Sequence, residues 1–295
     1  MTPQWKEELK FIAYILPWAI GFILFFIVPA GASFYYSFTD YNAIKPPAFI
    51  GWENYGKLFD NTIYLKSLRN TLFFVCIGVP CNLLFQILIA SLLNAERRGI
   101  AWFRTFYYLP YLVPMIATVM IFRLVFSTDF GIVNHILEWF GVDKIGWLDK
   151  AVYAKPIIVM MNMWASGSGI LIFLAALKGV PRHLYEAARM DGAGKIRSFT
   201  VITLPLITPA ILFSLVMQMI ANFQMFTESY LLNKGGPNYA SITYMLNTYN
   251  TGFRDFKFGL AMAQSWILTI IILIITLIVL ASSRHWVYYE GGDNR

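Results

Sequence analysis

Six stretches of this chain are long and apolar enough to cross a bilayer, at approximately 11–38, 70–94, 103–126, 155–177, 201–232 and 257–282. A spanning helix needs about 20 mostly apolar residues. In hydrocarbon every backbone N–H and C=O must be paired inside the protein, so only helices and closed barrels can span. None of the six shows the period-two alternation of a barrel strand. The expected fold is therefore all-α, a polytopic membrane protein with six transmembrane helices. A soluble fold would have to hide all six. With 58% hydrophobic and 13% charged residues, against about 25% charged in an ordinary soluble domain, too little polar surface exists to cover them.

The first stretch is longer than the roughly 7–15 apolar residues of a signal peptide. Asp40-Tyr41-Asn42 and Pro46-Pro47 follow it in place of a small-residue cleavage site, so the first helix is expected to be retained. Six spans put both termini on one side. Of the 23 Lys and Arg, twelve fall in the terminus-side segments 1–10, 95–102, 178–200 and 283–295 with Arg104, and eleven in the longer opposite segments. The terminus side is denser in positive charge, which points to cytoplasmic termini. The basic residues are scattered and give no nucleic-acid footprint. Cys76 and Cys81, both in the second stretch, read as small buried apolar side chains. Ile132, Ile136, Leu137, Trp139 and Phe140 recur at helical spacing in 127–154, as in a short amphipathic helix near a membrane surface. Gly235-Gly236-Pro237 marks a turn in 233–256. No tandem repeat or linker divides the chain, and a single transmembrane domain over 1–295 is the simplest organisation.

Several chemistries lack their residues. Gly194-Lys195 resembles the tail of a nucleotide-binding P-loop, but Arg189 stands where the first glycine belongs and Ile196 where Ser or Thr belongs. ATP hydrolysis by this chain is not expected. Ser168 is preceded by Ser166, not by the glycine of a nucleophile elbow. His135, His183 and His285 lie in separate segments without metal-ligand spacing. Arg123 and Glu228 are the only charges placed within a span, both near its end. No catalytic set, metal site or cofactor site is expected, which disfavours a membrane-embedded enzyme.

The loop 178–200 is more informative. Pro181 can open a helix, since its missing N–H costs nothing in the first turn, and Gly192 or Gly194 can close it in a left-handed cap. Between them Leu184, Tyr185, Ala187, Ala188 and Met190 form a helix of about three turns. The small Ala187 and Ala188 would let another protein approach closely. A helix held between two spans can pass a partner's movement into the membrane, or can merely connect the spans.

Glu186-Ala187-Ala188, Gly192, Ile202 and Leu204-Pro205 stand at the spacing of the EAA-loop signature, so the chain resembles the permeases of binding-protein-dependent ABC importers. Lys178-Gly179-Val180-Pro181, Asn233-Lys234-Gly235-Gly236-Pro237, Phe256-Lys257-Phe258-Gly259 and the Phe49–Tyr55 cluster resemble the carbohydrate, maltose-type branch. The resemblance covers almost the whole chain. It implies a type I ABC-importer permease fold with cytoplasmic termini, in a bacterial or archaeal inner membrane. It implies a coupling helix seated in a cytoplasmic ATPase subunit. Glu186 would be its polar anchor, Ala187 and Ala188 the close contact, Gly192 the turn, and Leu184, Tyr185, Met190 and Asp191 the surrounding contacts. The implied partners are a second EAA-loop permease, two ATPase subunits that bind ATP and Mg, an extracytoplasmic sugar-binding protein, and membrane lipid. The cargo would be a sugar or oligosaccharide. The alternative is a non-sugar solute such as a glycerol-phosphate ester or a polyamine.

Gln218, Asn222 and Met225 stand at i, i+4 and i+7 in the fifth stretch, the face that the resemblance assigns to sugar contact. Amides both donate to and accept from hydroxyls. Trp164 and Ser168 stand at i, i+4 in the fourth, where an aromatic face can stack on a sugar ring. Each of these side chains serves either cargo or helix–helix packing. Asn162, Gln224 and Gln264 read as structural. An anionic cargo would call for Lys or Arg deep in the spans; these spans lack them, which favours a neutral sugar.

Overall fold

The computed structural model describes residues 3–95 and 98–288. Arg97 and Arg295, counted above among the terminus-side basic residues, lie outside the described residues, as does the side chain of Lys6. Along the chain the helices are α1 (Lys10–Tyr36), α2 (Glu53–Phe59), α3 (Thr62–Leu93), α4 (Ile100–Leu112), α5 (Met115–Val125), α6 (Ile132–Trp139), α7 (Ala151–Trp164), α8 (Gly167–Gly179), α9 (Arg182–Met190), α10 (Lys195–Leu206), α11 (Thr208–Phe223), α12 (Thr227–Asn233), α13 (Tyr244–Tyr249) and α14 (Phe258–Ser283). The only extended pairing among the described residues is an isolated bridge between Thr39 and Phe49.

α1, α3 and α14 are each long and apolar enough to span alone. The other three apolar stretches are pairs of helices that are long and apolar enough only together, bent by 100° between α4 and α5, 51° between α7 and α8, and 65° between α10 and α11. The apolar stretches predicted six uninterrupted helices, and the breaks have local causes. Val113 is extended (ψ 128°) ahead of Pro114, because a proline clashes with a helical residue before it and brings no N–H. Ala165 and Ser166 leave helical geometry, and the Ser166 hydroxyl donates to the Met163 carbonyl at 2.6 Å, competing with the backbone ladder. At the third bend Thr208 Oγ1 donates in the same way to the Pro205 carbonyl at 2.6 Å. The expected fifth span is interrupted again after Phe223, so Glu228 lies in the first turn of the separate helix α12 and not at a span's end.

The chain divides into two compact units. The first comprises Met1–Asn61 with Thr248–Thr269. Its organising side chain is the buried Asn54, which donates to the Ser37 and Thr39 carbonyls at 2.9 and 2.7 Å. The amide of Gly259 donates to the Tyr41 carbonyl at 2.9 Å. A side chain at Gly259 would overlap the Thr39 carbonyl, so only glycine permits this approach. Gln264 is buried and donates to Thr251 Oγ1 at 3.2 Å, the structural role expected of it. No residue of α1 is buried; in this unit its apolar surface is free for lipid or another subunit.

The second unit comprises Thr62–Asn247 with Ile270–Arg295. Phe74, Val119, Phe122, Ile158, Met161 and Leu232 form its buried apolar centre. α3 shows how lipid inverts a soluble helix. Leu84, Leu88 and Leu92 are exposed, whereas Gln86 is 3% exposed. Apolar side chains lose nothing against lipid tails, and an unpaired amide there would be costly. Cys76 and Cys81, expected to be buried, are free thiols on the same outward side, because polarity and not apolarity sets which face turns inward. The predicted amphipathic helix is α6, with Ile132 and Trp139 exposed. Asn134 fixes its seat, donating to the Thr128 and Ile145 carbonyls at 3.0 and 2.9 Å and accepting from Trp147 Nε1 at 2.8 Å. At the predicted turn Gly235 has φ +80°.

Candidate functional site

Two features of the second unit carry the predicted residues: the helix α9 with its cap, and a cavity among α3, α8 and α11.

Pro181 occupies the N-cap of α9, one position before the helix, and the helix has nine residues, somewhat short of the expected three turns. Its end is set by Gly192 at φ +76°. The Ala193 amide donates to the Ala188 carbonyl at 2.8 Å and the Gly192 amide to the Arg189 carbonyl at 3.0 Å. This pair of bonds is the Schellman closure, which requires a left-handed residue where only glycine is free of Cβ cost. Gly192, not Gly194, therefore ends the helix. Glu186, Ala187, Met190 and Asp191 are exposed; Leu184, Tyr185 and Ala188 are half-buried. Tyr185 points back to the protein, its hydroxyl 2.7 Å from Thr203 Oγ1 in α10. That bond ties the loop helix to the following span. Tyr185→Phe should loosen it by about 0.5–1.5 kcal/mol. Faster amide hydrogen exchange over 182–193, with unchanged exchange in α3, is the expected measurement.

The cavity has a volume of about 490 Å³. Its polar wall comes from α3 (Asn82, Gln86), the α7–α8 break (Ser166, Ser168) and α11 (Gln218, Asn222). Glu228 is the only carboxylate on the wall, and no Lys or Arg among the described residues lines it. An amide ladder crosses from α3 to α11: Asn82 Nδ2 donates to Gln218 Oε1 at 2.9 Å, and Gln218 Nε2 donates to Gln86 Oε1 at 3.1 Å. Asn222 Nδ2 donates to the Gln218 carbonyl at 2.9 Å. Gln86 lies directly over Gly169, where any side chain would overlap its amide. Two buried polar atoms of lining residues, Asn82 Oδ1 and Ser214 Oγ, have no hydrogen-bond partner. Buried polar atoms are usually paired, and these two, one on α3 and one on α11, are exceptions.

Of the five residues singled out for a cargo path, Gln218, Asn222, Met225 and Ser168 line the cavity. Gln218 spends its carbonyl and one N–H on the ladder, so it positions α11 against α3 as well as facing the cavity. Met225 is 4% exposed and belongs equally to the apolar centre. Trp164 is not on the wall; its ring meets Phe122 edge-on, centroids 5.8 Å apart. Asn162, read as structural, does line it. Asn82 and Gln86 were missed, although their i, i+4 spacing in an apolar stretch is the same signal that marked Gln218 and Asn222.

Residues 70–287 match the family described as binding-protein-dependent transport system inner membrane component. The probable ABC transporter permease YesP of Bacillus subtilis (strain 168) is 39% identical over 293 residues, covering 98% of this chain and 94% of that protein. The diacetylchitobiose uptake system permease NgcF of Streptomyces coelicolor is 30% identical, covering 97% and 85%. Among solved structures, a chain of the bacterial alginate ABC transporter in complex with an alginate pentasaccharide-bound periplasmic protein superposes with a TM-score of 0.83 at 25% identity, covering 95% of each chain.

Proposed function

Because the chain belongs to the family of binding-protein-dependent transport system inner membrane components, it is an ABC-importer permease subunit and not an enzyme, and we propose that it forms half of a membrane pathway for a sugar or oligosaccharide. The observation that carries this reading is the cavity. Its wall is rich in amides and hydroxyls, from Asn82, Gln86, Ser166, Ser168, Gln218 and Asn222. Amide and hydroxyl side chains of this kind both donate to and accept from saccharide hydroxyls. The relative NgcF serves diacetylchitobiose uptake and the matching structure handles alginate, which supports a saccharide cargo. A glycerol-phosphate ester fits less well, since no cation among the described residues faces the cavity.

In this reading α9 is the coupling helix. Its exposed Glu186, Ala187, Met190 and Asp191 meet a cytoplasmic ATPase subunit. Gly192 makes the turn and Tyr185 with Leu184 holds the helix to the membrane part. Two such ATPases bind ATP and Mg, and a second permease supplies the other half of the path. The extracytoplasmic binding protein delivers the cargo. Both termini face the cytoplasm.

The test is reconstitution of the complex with these partners, reading ATP turnover and uptake together. Asn222→Ala should lower uptake about tenfold, equivalent to about 1.4 kcal/mol, while basal ATP turnover and assembly persist. Glu186→Ala should weaken ATPase assembly and abolish stimulated turnover. Unchanged uptake kinetics in the first variant would remove the cavity from the path. Unchanged assembly and turnover in the second would remove α9 from coupling.

A further inference from the structure

The cavity wall carries one charge that the saccharide reading leaves unused. Glu228 is its only carboxylate among the described residues, and no described Lys or Arg lines the same space. No described Lys, Arg or His makes an ion pair with Glu228, and no other described charge acts on it. Arg123, on the adjoining α5, turns its Nη1 to the Leu231 carbonyl at 3.5 Å instead. The carboxylate also stands on a fixed support. α11 ends at Phe223 and α12 begins at Thr227, so the helix is interrupted just before Glu228. In that interruption the Met225 carbonyl accepts from Thr243 Oγ1 at 2.7 Å. The buried Ser229, next to Glu228, donates to the Ser241 carbonyl at 2.6 Å. These two bonds pin the start of α12 to the segment 241–243.

Amides and hydroxyls hold a sugar without regard to its charge, and a fixed carboxylate does not. In a cleft with low-dielectric walls, charge of one sign sets up a field that draws in cations and repels anions. A carboxylate also accepts from sugar hydroxyls, and hydrogen bonds to an ionised acceptor are roughly twice as strong as neutral ones. A neutral sugar therefore gains a strong acceptor. A protonated amino sugar gains Coulomb attraction as well. A uronate, whose own carboxylate enters the same space, meets repulsion with no cation on the described wall to offset it.

We infer that Glu228 sets the sign of charge that the cavity admits: neutral and amino sugars, and not sugars carrying carboxylates. The inference rests on the saccharide reading for the kind of cargo, and its electrostatic part is measured without any cargo.

The test uses the chain assembled with its partner permease and ATPases. Cys76 and Cys81, both exposed free thiols, are replaced by alanine, and Ala221→Cys supplies one reporter thiol. Ala221 is exposed and lines the cavity. Trimethylammonioethyl and sulfonatoethyl methanethiosulfonate modify that thiol, read by the mass of this chain, and the ratio of their rates is compared with the ratio for 2-mercaptoethanol. The cationic reagent should be favoured at least about tenfold beyond the free thiol. Glu228→Gln should bring the ratio within about twofold of the free thiol. Glu228→Asp, which keeps the charge, should keep most of the preference, and the exposed Asp129→Asn, outside the cavity, should leave it unchanged. No preference with Glu228 present, or the same preference in Glu228→Gln, would overturn the inference. Sugars then separate it from the saccharide reading, with uncharged methyl methanethiosulfonate as the reagent. Glucose and glucosamine should slow modification and galacturonate should not, whereas in Glu228→Gln all three should protect. Equal protection by all three with Glu228 present would overturn the charge rule and leave the saccharide reading standing. Protection by none, with the reagent ratios as expected, would uphold the charge rule and count against a saccharide cargo.

Discussion

Gly167→Val should leave almost no assembled protein in the membrane. A Cβ at this position would stand 2.7 Å from the Tyr107 carbonyl oxygen, 3.0 Å from Tyr108 Cα and 3.1 Å from Tyr111 Cβ. Two of these atoms are backbone of α4 and cannot rotate aside. Overpacking costs about 1–3 kcal/mol where side chains can yield, and here the helices themselves must separate. Small residues at helix contacts matter in membranes because packing, not the hydrophobic effect, holds spans together. Gly179→Ala, at the other end of α8, is the control, since a Cβ there meets nothing within 4 Å. Fluorescence-detected size exclusion of the two variants checks this: loss of the monodisperse peak for Gly167→Val and its retention for Gly179→Ala. A normal peak for Gly167→Val would mean that α4 and α8 do not pack as described.

Gln218→Met should cut transport more deeply than Asn222→Ala, and by a different route. Methionine is close in volume to glutamine, so the cavity keeps its shape, but it neither donates nor accepts in the ladder. Asn82 Nδ2 and Gln86 Oε1 then lose their partners. Leaving a buried group unpaired costs about 1–3 kcal/mol, and Gln86, 3% exposed, has little access to water. Against this, interhelical hydrogen bonds in membranes average nearer 0.6 kcal/mol because unfolded spans also find partners. The buried position of Gln86 favours the larger figure. Uptake should fall at least about thirtyfold with a lowered melting temperature, whereas Asn222→Ala should leave melting unchanged. Equal melting of wild type and Gln218→Met would show that the ladder does not hold α3 to α11.

The two predictions rest on features of unequal visibility in the sequence. The spans were legible because length and apolarity are enough to identify them. Their breaks were not, because an apolar run continues through a bend. Yet the punctuation was there: Val113-Pro114 and the Ala165-Ser166-Gly167 segment are ordinary helix interruptions once apolarity is set aside. The α9 loop was legible almost residue by residue, since glycine and proline act locally; the inward turn of Tyr185 was not, because Thr203 comes eighteen positions later. Half of the polar wall of the cavity was read from α11. The α3 half was overlooked, and Trp164 was drawn in by spacing although its ring packs on Phe122. Which of two faces a polar side chain takes depends on a partner helix more than a hundred residues away, and local pattern cannot encode that.

That separation has a bearing on how the protein is made. Asn82 and Gln218 are 136 residues apart. At about 5–20 residues per second, the ribosome needs roughly 7 to 27 s after completing Asn82 to supply its partner. During that interval α3 is already a finished span with two amides on one face. They stand one helical turn apart, close enough to bond each other, and otherwise depend on water or the insertion machinery. The late arrival of α11 therefore completes the first half of the protein as well as the second. A chain truncated before Gln218 lacks the one side chain that Asn82 and Gln86 both bond in the finished fold.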